Sequence, residues 1–178
     1  MSTIKEKLVM DKEQIAAAVK KLAKEILTAN GGTKDLLLIG VLNRGLPLAE
    51  RIAKAISQLE KSDVPVGALD VSLHRDDIMN KGSDIEMKRS DIPFSIDGKI
   101  VVLVDDVIFA GRTIRAAMDG LNDYGRPSKI QLAALIDRDH RELPIHPDYV
   151  GMKVATSASE DVLVNVSEID GVDKVIIK

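Results

Sequence analysis

Two adjacent carboxylates, Asp105 and Asp106, follow the apolar run Val101–Val104, and a Gly111-Arg112-Thr113 turn comes six residues after Asp105. Ionised carboxylates only accept hydrogen bonds, so the pair can hold the two donor hydroxyls of a ribose in one orientation. The turn through Ala110, Gly111, Arg112 and Thr113 offers backbone N–H groups at the start of a helix, which suits an anion. Gly111 lets the backbone approach that anion closely, and the Thr113 hydroxyl adds a donor. Together they suit a ribose that carries a 5'-phosphate and a pyrophosphate. An Asx-type turn that merely caps a helix is the plainer alternative, yet a cap needs neither the paired acids nor Gly-Arg-Thr. A Walker-type loop is excluded, because its first glycine would fall on Asp106 and its lysine on Arg112.

Elements to position these residues follow from the apolar pattern. Residues 101–104 read as a strand buried on both faces, which puts the carboxylates at its carboxyl end. Residues 11–29 read as an amphipathic helix, capped by Asp11 and ended by Asn30-Gly31-Gly32. Strands at 36–42, 64–73 and 129–136 alternate with helices at 46–59 and 112–124, so a parallel sheet with helical crossovers is expected. After Asp137 short apolar pieces broken by Pro144, Pro147 and Gly151 suggest a small hood over the sheet edge. It is expected mainly over 137–165, with terminal segments, within one domain spanning 1–178.

Composition narrows the chemistry further. Of the 178 residues 45% are hydrophobic but only 2% aromatic, so the core is aliphatic. There is no cysteine, which removes thiol nucleophiles and zinc–thiolate sites. The amino terminus lacks the apolar core of a signal peptide and no run approaches membrane-spanning length, so a cytoplasmic protein is expected, with no membrane partner. A net charge of -3 argues against general nucleic-acid binding.

Three more loops open on the same edge. Around Asn43, Arg44 and Gly45 a guanidinium and close backbone could meet pyrophosphate oxygens. The charged stretch 74–98 has the length of a lid, and Arg75 within it could clamp the pyrophosphate. The third loop, 137–151, carries Arg138, Arg141 and His146.

The 101–113 stretch resembles the PRPP-binding motif of type I phosphoribosyltransferases at all its positions. Arg138-x-His140-Arg141-Glu142-Leu143-Pro144-Ile145, then Asp148-Tyr149-Val150-Gly151, narrow the resemblance to the PyrR family. Leu69-x-Val71-Ser72-Leu73-x-Arg75-Asp76-Asp77 and Gly45-Leu46-Pro47-Leu48-Ala49 agree, and the likeness runs from about residue 8 to the carboxyl terminus. That family comprises uracil phosphoribosyltransferases which, in some bacteria, also bind pyrimidine-operon mRNA and attenuate transcription.

The resemblance implies an α/β fold, the type I phosphoribosyltransferase fold, with a mainly parallel central sheet, flanking helices and a hood. It implies transfer of phosphoribosyl from PRPP to uracil, giving UMP and pyrophosphate, with Mg2+ carried by PRPP and no dedicated metal cage. Asp105, Asp106, Arg75 and Arg44 would be catalytic. Asn43, Arg44 and Gly45, with Val107, Ile108, Phe109, Ala110, Gly111, Arg112 and Thr113, would bind PRPP. Arg138 and Val162 would supply the uracil edge. The pyrophosphate loop of the family often holds a cis peptide without proline, here Asn43–Arg44 or a neighbour. A homodimer or homotetramer is implied.

An RNA-binding patch for the operon leader would use Lys20, Lys24, Arg141 and His146. The sequence departs from the family there: Lys20 and Lys24 replace Thr and His, His146 replaces Arg, and Asp139 replaces the usual Gly. Ala110 stands where many members have Thr or Ser. The rival readings are a catalytically weak, nucleotide-sensing mRNA-binding regulator and a phosphoribosyltransferase for another base.

Overall fold

Alternating apolar side chains along each central strand cannot be buried by one layer, so helices cover both faces. The computed structural model, which describes residues 6–74 and 89–178, resolves this into two sheets. The strands are β1 (Lys7–Met10), β2 (Leu36–Val41), β3 (Val66–Leu69), β4 (Ile100–Ile108), β5 (Lys129–Asp137), β6 (Tyr149–Lys153), β7 (Val162–Asn165) and β8 (Lys174–Ile177). The helices are α1 (Lys12–Asn30), α2 (Gly45–Glu60), α3 (Arg112–Leu121) and the single turn α4 (Ser167–Asp170). Five strands pair in parallel in the order β3-β2-β4-β5-β6. A three-stranded antiparallel sheet, β1-β8-β7, forms the cap.

Period-two alternation divides the core. Leu36, Leu38, Val102 and Val104 pack with α1, α2 and the cap residues Val164 and Val175. Leu37, Ile39, Val101 and Leu103 pack on the other face with Ile114, Ala117 and Leu121 of α3. The expected first helix forms as read: Asp11 and Gln14 make a reciprocal capping box at 2.8 and 2.9 Å, and Gly31 ends the helix at φ 65°. Such a cap stabilises a helix by about 1 kcal/mol. Among the described residues no helix is long and apolar enough to cross a membrane.

Several boundaries differ from the expectation, each for a physical reason. β4 does not stop at Val104 but pairs with β5 through Ile108, because β5 is long enough to carry its ladder to Asp137. Asp105 and Asp106 therefore lie within β4. They still emerge at an edge, since the neighbouring β2 pairs with β4 only as far as Gly40 opposite Val104. β3 is shorter than 64–73: Asp70 accepts from the Ser72 amide at 2.9 Å and turns the chain into a 3-10 turn at Ser72–His74. The stretch 137–165 is not all hood, because Tyr149–Lys153 joins the main sheet beside β5 in spite of the prolines before it. The stretch 74–98 is not all lid. Asp91 exchanges two 2.8 Å backbone bonds with Ala68, and Ile96 is fully buried. Arg75 lies outside the described residues.

Candidate active site

A change of direction at the end of β4 creates the site. Asp105 is buried and accepts from the Asp106 amide at 2.9 Å, and Asp106 accepts from the Val107 amide at 2.8 Å. Burial pushes the Asp106 carboxyl above the ordinary carboxylate range. Hydrogen bonding with Asp105, the Val107 amide and the charge of Arg44 oppose that rise. The chain then passes through Phe109 and Ala110 to Gly111, the residue before α3, at φ 94°. A residue with a Cβ adopts that conformation with difficulty. The first amides of α3 have no carbonyl one turn earlier within the helix to bond, and a helix start of this kind suits an anion. Asp105 and residues 107–114 line a cavity of about 270 Å³, together with Glu142. A larger cleft, about 780 Å³, lies beside His74, Asp123 and Tyr124, and neither carboxylate nor any phosphate-loop residue lines it. The smaller one is the candidate site, since it gathers Asp105 and the turn into α3.

Arg44 directly precedes α2, and the structure brings it to this edge. Its loop contains a cis peptide without proline at Leu42–Asn43, the bond next to Asn43–Arg44, as the expectation allowed. Gly45 seats the loop against β4, because a Cβ there would overlap the Val104 carbonyl oxygen. The guanidinium does not stand free. Its Nε donates to Asp170 at 3.1 Å and an Nη at 2.8 Å. That pairing raises the Arg44 pKa and lowers that of Asp170. Arg51, two turns along α2, pairs with Glu168 and Asp173 and so pins the same C-terminal segment.

Arg138, expected at the uracil edge, and Arg141, expected on an RNA-binding surface, are both turned inward. Arg138 is 4% exposed, and its guanidinium lies 4.1 Å from the centre of the Phe109 ring. It also donates to the Thr156 hydroxyl at 3.2 Å and to the Ser157 carbonyl at 3.1 Å. Its Nη1 comes within 3.9 Å of Asp161, the residue before Val162, so Arg138 lies beside the start of β7. Arg141 bridges the Phe109 carbonyl and the Asp137 carboxylate, at 2.7 and 2.8 Å. Asp139 and His140 adopt φ of 61° and 59°, a conformation Asp and His enter more readily than most residues with a Cβ. That accounts for an Asp where the family usually has Gly.

The four residues expected to form an RNA patch are not gathered. Arg141 is mostly covered, its side chain 11% exposed and turned to Phe109 and Asp137 rather than out to an RNA surface. His146 shares a cleft with Lys21 and Lys153, but also with Glu25, Asp137 and Asp148. Lys20 lines a separate groove with Arg51, Lys54 and Gln58. Two partners were missed by sequence reading. Asp170 carries no local signal, and only the position of Asp137 at the carboxyl end of a strand could have drawn attention to it. Among the described residues no three His, Asp or Glu side chains converge as a metal cage.

The chain is similar to known proteins in sequence and in fold. Residues 8–166 match the phosphoribosyl transferase domain family. A Chloroflexus aurantiacus protein named Bifunctional protein PyrR is 52% identical over 172 residues, covering 97% of this chain and 94% of that protein. The protein of that name from Thermoanaerobacter pseudethanolicus is 54% identical over 169 residues, covering 95% of each. Among solved structures, a hypoxanthine phosphoribosyltransferase of Trypanosoma cruzi superposes with a TM-score of 0.70 at 20% identity, covering 96% of this chain and 95% of that one. A hypoxanthine-guanine phosphoribosyltransferase from Bacillus anthracis gives 0.72 at 22% identity, covering 97% of each. These two share the fold. With this domain match and relatives at half identity over nearly the whole chain, the protein belongs to the phosphoribosyl transferase domain family and, within it, to the PyrR proteins.

Proposed function

We propose that the protein transfers phosphoribosyl from PRPP to uracil, giving UMP and pyrophosphate. The observation that carries this reading is the shared cavity, in which a buried carboxylate of β4 faces the donor-rich start of α3. Amides 110–113 and the Thr113 hydroxyl hold the 5'-phosphate. Asp105 and Asp106 hold the ribose hydroxyls. A ring nitrogen of uracil bonds to C1 as the C1–oxygen bond breaks, its electron pair leaving with pyrophosphate, and the nitrogen's proton is released to water. As in glycoside chemistry, positive charge grows on the ribose ring, and the two carboxylates favour it electrostatically. Arg44 and the loop at Asn43–Gly45 receive the pyrophosphate, for which Arg44 must exchange its bonds to Asp170. Arg75 is assigned to the same leaving group. The backbone at Arg138 and Val162 reads the uracil edge.

Mg2+ accompanies PRPP. Such a hard cation keeps several waters and needs only one or two carboxylates beside phosphate oxygens, a demand that Asp105 and Asp106 fit. When bound it neutralises charge on the leaving group.

Formation of UMP from uracil and PRPP with Mg2+ tests the reading, with hypoxanthine and cytosine as controls. Turnover confined to uracil and greatly reduced in Asp106→Asn is expected. Turnover with hypoxanthine instead would favour a transferase for another base. No turnover with intact UMP binding would favour a nucleotide-sensing regulator.

A second activity, UMP-responsive binding to a pyrimidine-operon mRNA leader, is favoured by the exposed Lys20 and Lys24 on one face of α1 and by relatives named bifunctional. We expect a cytoplasmic homodimer or homotetramer.

A further inference from the structure

We propose that Arg141 is a positioning residue for the phosphate loop, acting through the loop's carbonyl groups rather than through the ligand. The inference rests on the reading of residues 110–113 as the 5'-phosphate site. Three consecutive carbonyls leading into the Gly111 turn are held by one segment. The Ile108 oxygen accepts from the Arg138 amide at 3.2 Å. The Phe109 oxygen accepts from Arg141 Nη1 at 2.7 Å. The Ala110 oxygen accepts from the amides of Glu142 and Leu143, at 3.0 and 3.1 Å.

Peptide geometry turns this into control of the donors. In a trans peptide the carbonyl of one residue and the N–H of the next point in opposite directions. The only cis bond among the described residues is Leu42–Asn43. Holding the Phe109 and Ala110 carbonyls toward residues 141–143 therefore aims the Ala110 and Gly111 amides away from that segment, where an anion can take them. Of the three carbonyls, Phe109's is the one gripped by a side chain. The grip is rigid because the guanidinium is anchored at its other end, by Asp137 at 2.8 Å, with both side chains largely buried at 11% and 6% exposure. Asp137 also neutralises Arg141. What Arg141 gives the site is therefore orientation more than charge.

The test compares wild type with Arg141→Met, which keeps bulk but loses both bonds, and Arg141→Lys, which keeps the charge without the two-ended reach. Ribose 5-phosphate binding by calorimetry reads the phosphate site without turnover, and the KM values for PRPP and uracil read it in the reaction. Losing one hydrogen bond with a charged donor predicts roughly tenfold weaker ribose 5-phosphate binding in Arg141→Met, with a similar rise in the KM for PRPP. The KM for uracil at saturating PRPP should stay within about twofold, a split that general damage would not produce. Arg141→Lys should fall between the two. A folded Arg141→Met protein that binds ribose 5-phosphate like wild type overturns the proposal. So does loss of PRPP and uracil affinity by the same factor. Should Arg141→Met fail to fold, wild-type binding by Arg141→Lys overturns it and weakened binding with an unchanged KM for uracil supports it. Failure of wild type itself to bind ribose 5-phosphate would instead sink the underlying reading of the loop.

Discussion

Arg44 and Asp170 stand 126 positions apart in sequence and meet through two side-chain hydrogen bonds, of 3.1 and 2.8 Å. Asp170 also accepts from the Val166 amide at 2.9 Å. One carboxylate thus ties the loop at Asn43–Gly45 to the turn that joins the last two cap strands. Paired guanidinium and carboxylate groups fix direction as well as distance.

Replacing Asp170 by Asn should destabilise the protein by about 1 kcal/mol at pH 7, the pair being only partly shielded from solvent. Its neighbours hold the folded-state pKa of Asp170 below the ordinary carboxylate range, by hydrogen bonding from Arg44 first. The stabilisation is therefore complete above the unfolded value of about 4 and is lost as pH falls through the lower folded one. Urea unfolding of both proteins across pH should show the gap closing in acid. A gap that widens in acid would show the sign to be wrong.

Asp106→Asn should move stability and activity in opposite directions. Desolvation raises the folded-state pKa of Asp106, so its ionised form costs stability, and that cost sets in as pH rises through the unfolded value of about 4. The amide escapes it. A higher Tm at pH 7, no difference in acid, and kcat lower by roughly a hundredfold are expected. Thermal melts and initial rates check this together, and an unchanged kcat would remove Asp106 from the mechanism.

Much of this site was open to sequence reading because its key residues act locally. Asp105, Asp106 and Gly111 lie within seven positions, and the strand–loop–helix that displays them follows from the apolar run before and the amphipathic run after. Arg141 was misread because an arginine among charged neighbours ordinarily faces water. Only the fold brings the Phe109 carbonyl and Asp137 to it. The Arg44–Asp170 pair had no signal at all, since nothing local says which acid a loop arginine will find. β6 was hidden by Pro144 and Pro147, which break the pattern just before a strand that donates its ladder from residue 149 onward.

Ala110 lines the cavity proposed for the 5'-phosphate, without a hydroxyl. Ala110→Thr should add one donor to a charged group, worth about 1.5 kcal/mol, or roughly tenfold in PRPP affinity. Calorimetry with PRPP and Mg2+ measures it directly. Equal or weaker binding would mean that the backbone donors already saturate the phosphate.

Charge reversal at Lys20 and Lys24 should separate the two proposed activities. Removing two phosphate contacts weakens binding of the operon leader and lowers the salt slope by about 1.5 for single-stranded RNA. Uracil turnover should be unaffected. Filter binding across a salt series decides, and undiminished RNA affinity would place the RNA surface elsewhere.

Among the described residues β1 pairs with β8 and with no other strand, joining Lys7 to Ile177. During synthesis the first strand therefore waits without a partner until residues 174–177 have been made. All five strands of the parallel sheet have been made by residue 153, so a nascent chain has the floor of its candidate site before it has the roof that completes its core. Asp170 arrives with that roof. The growing chain thus presents Arg44 unrestrained, and the site reaches its final form only as translation passes the last cap strand.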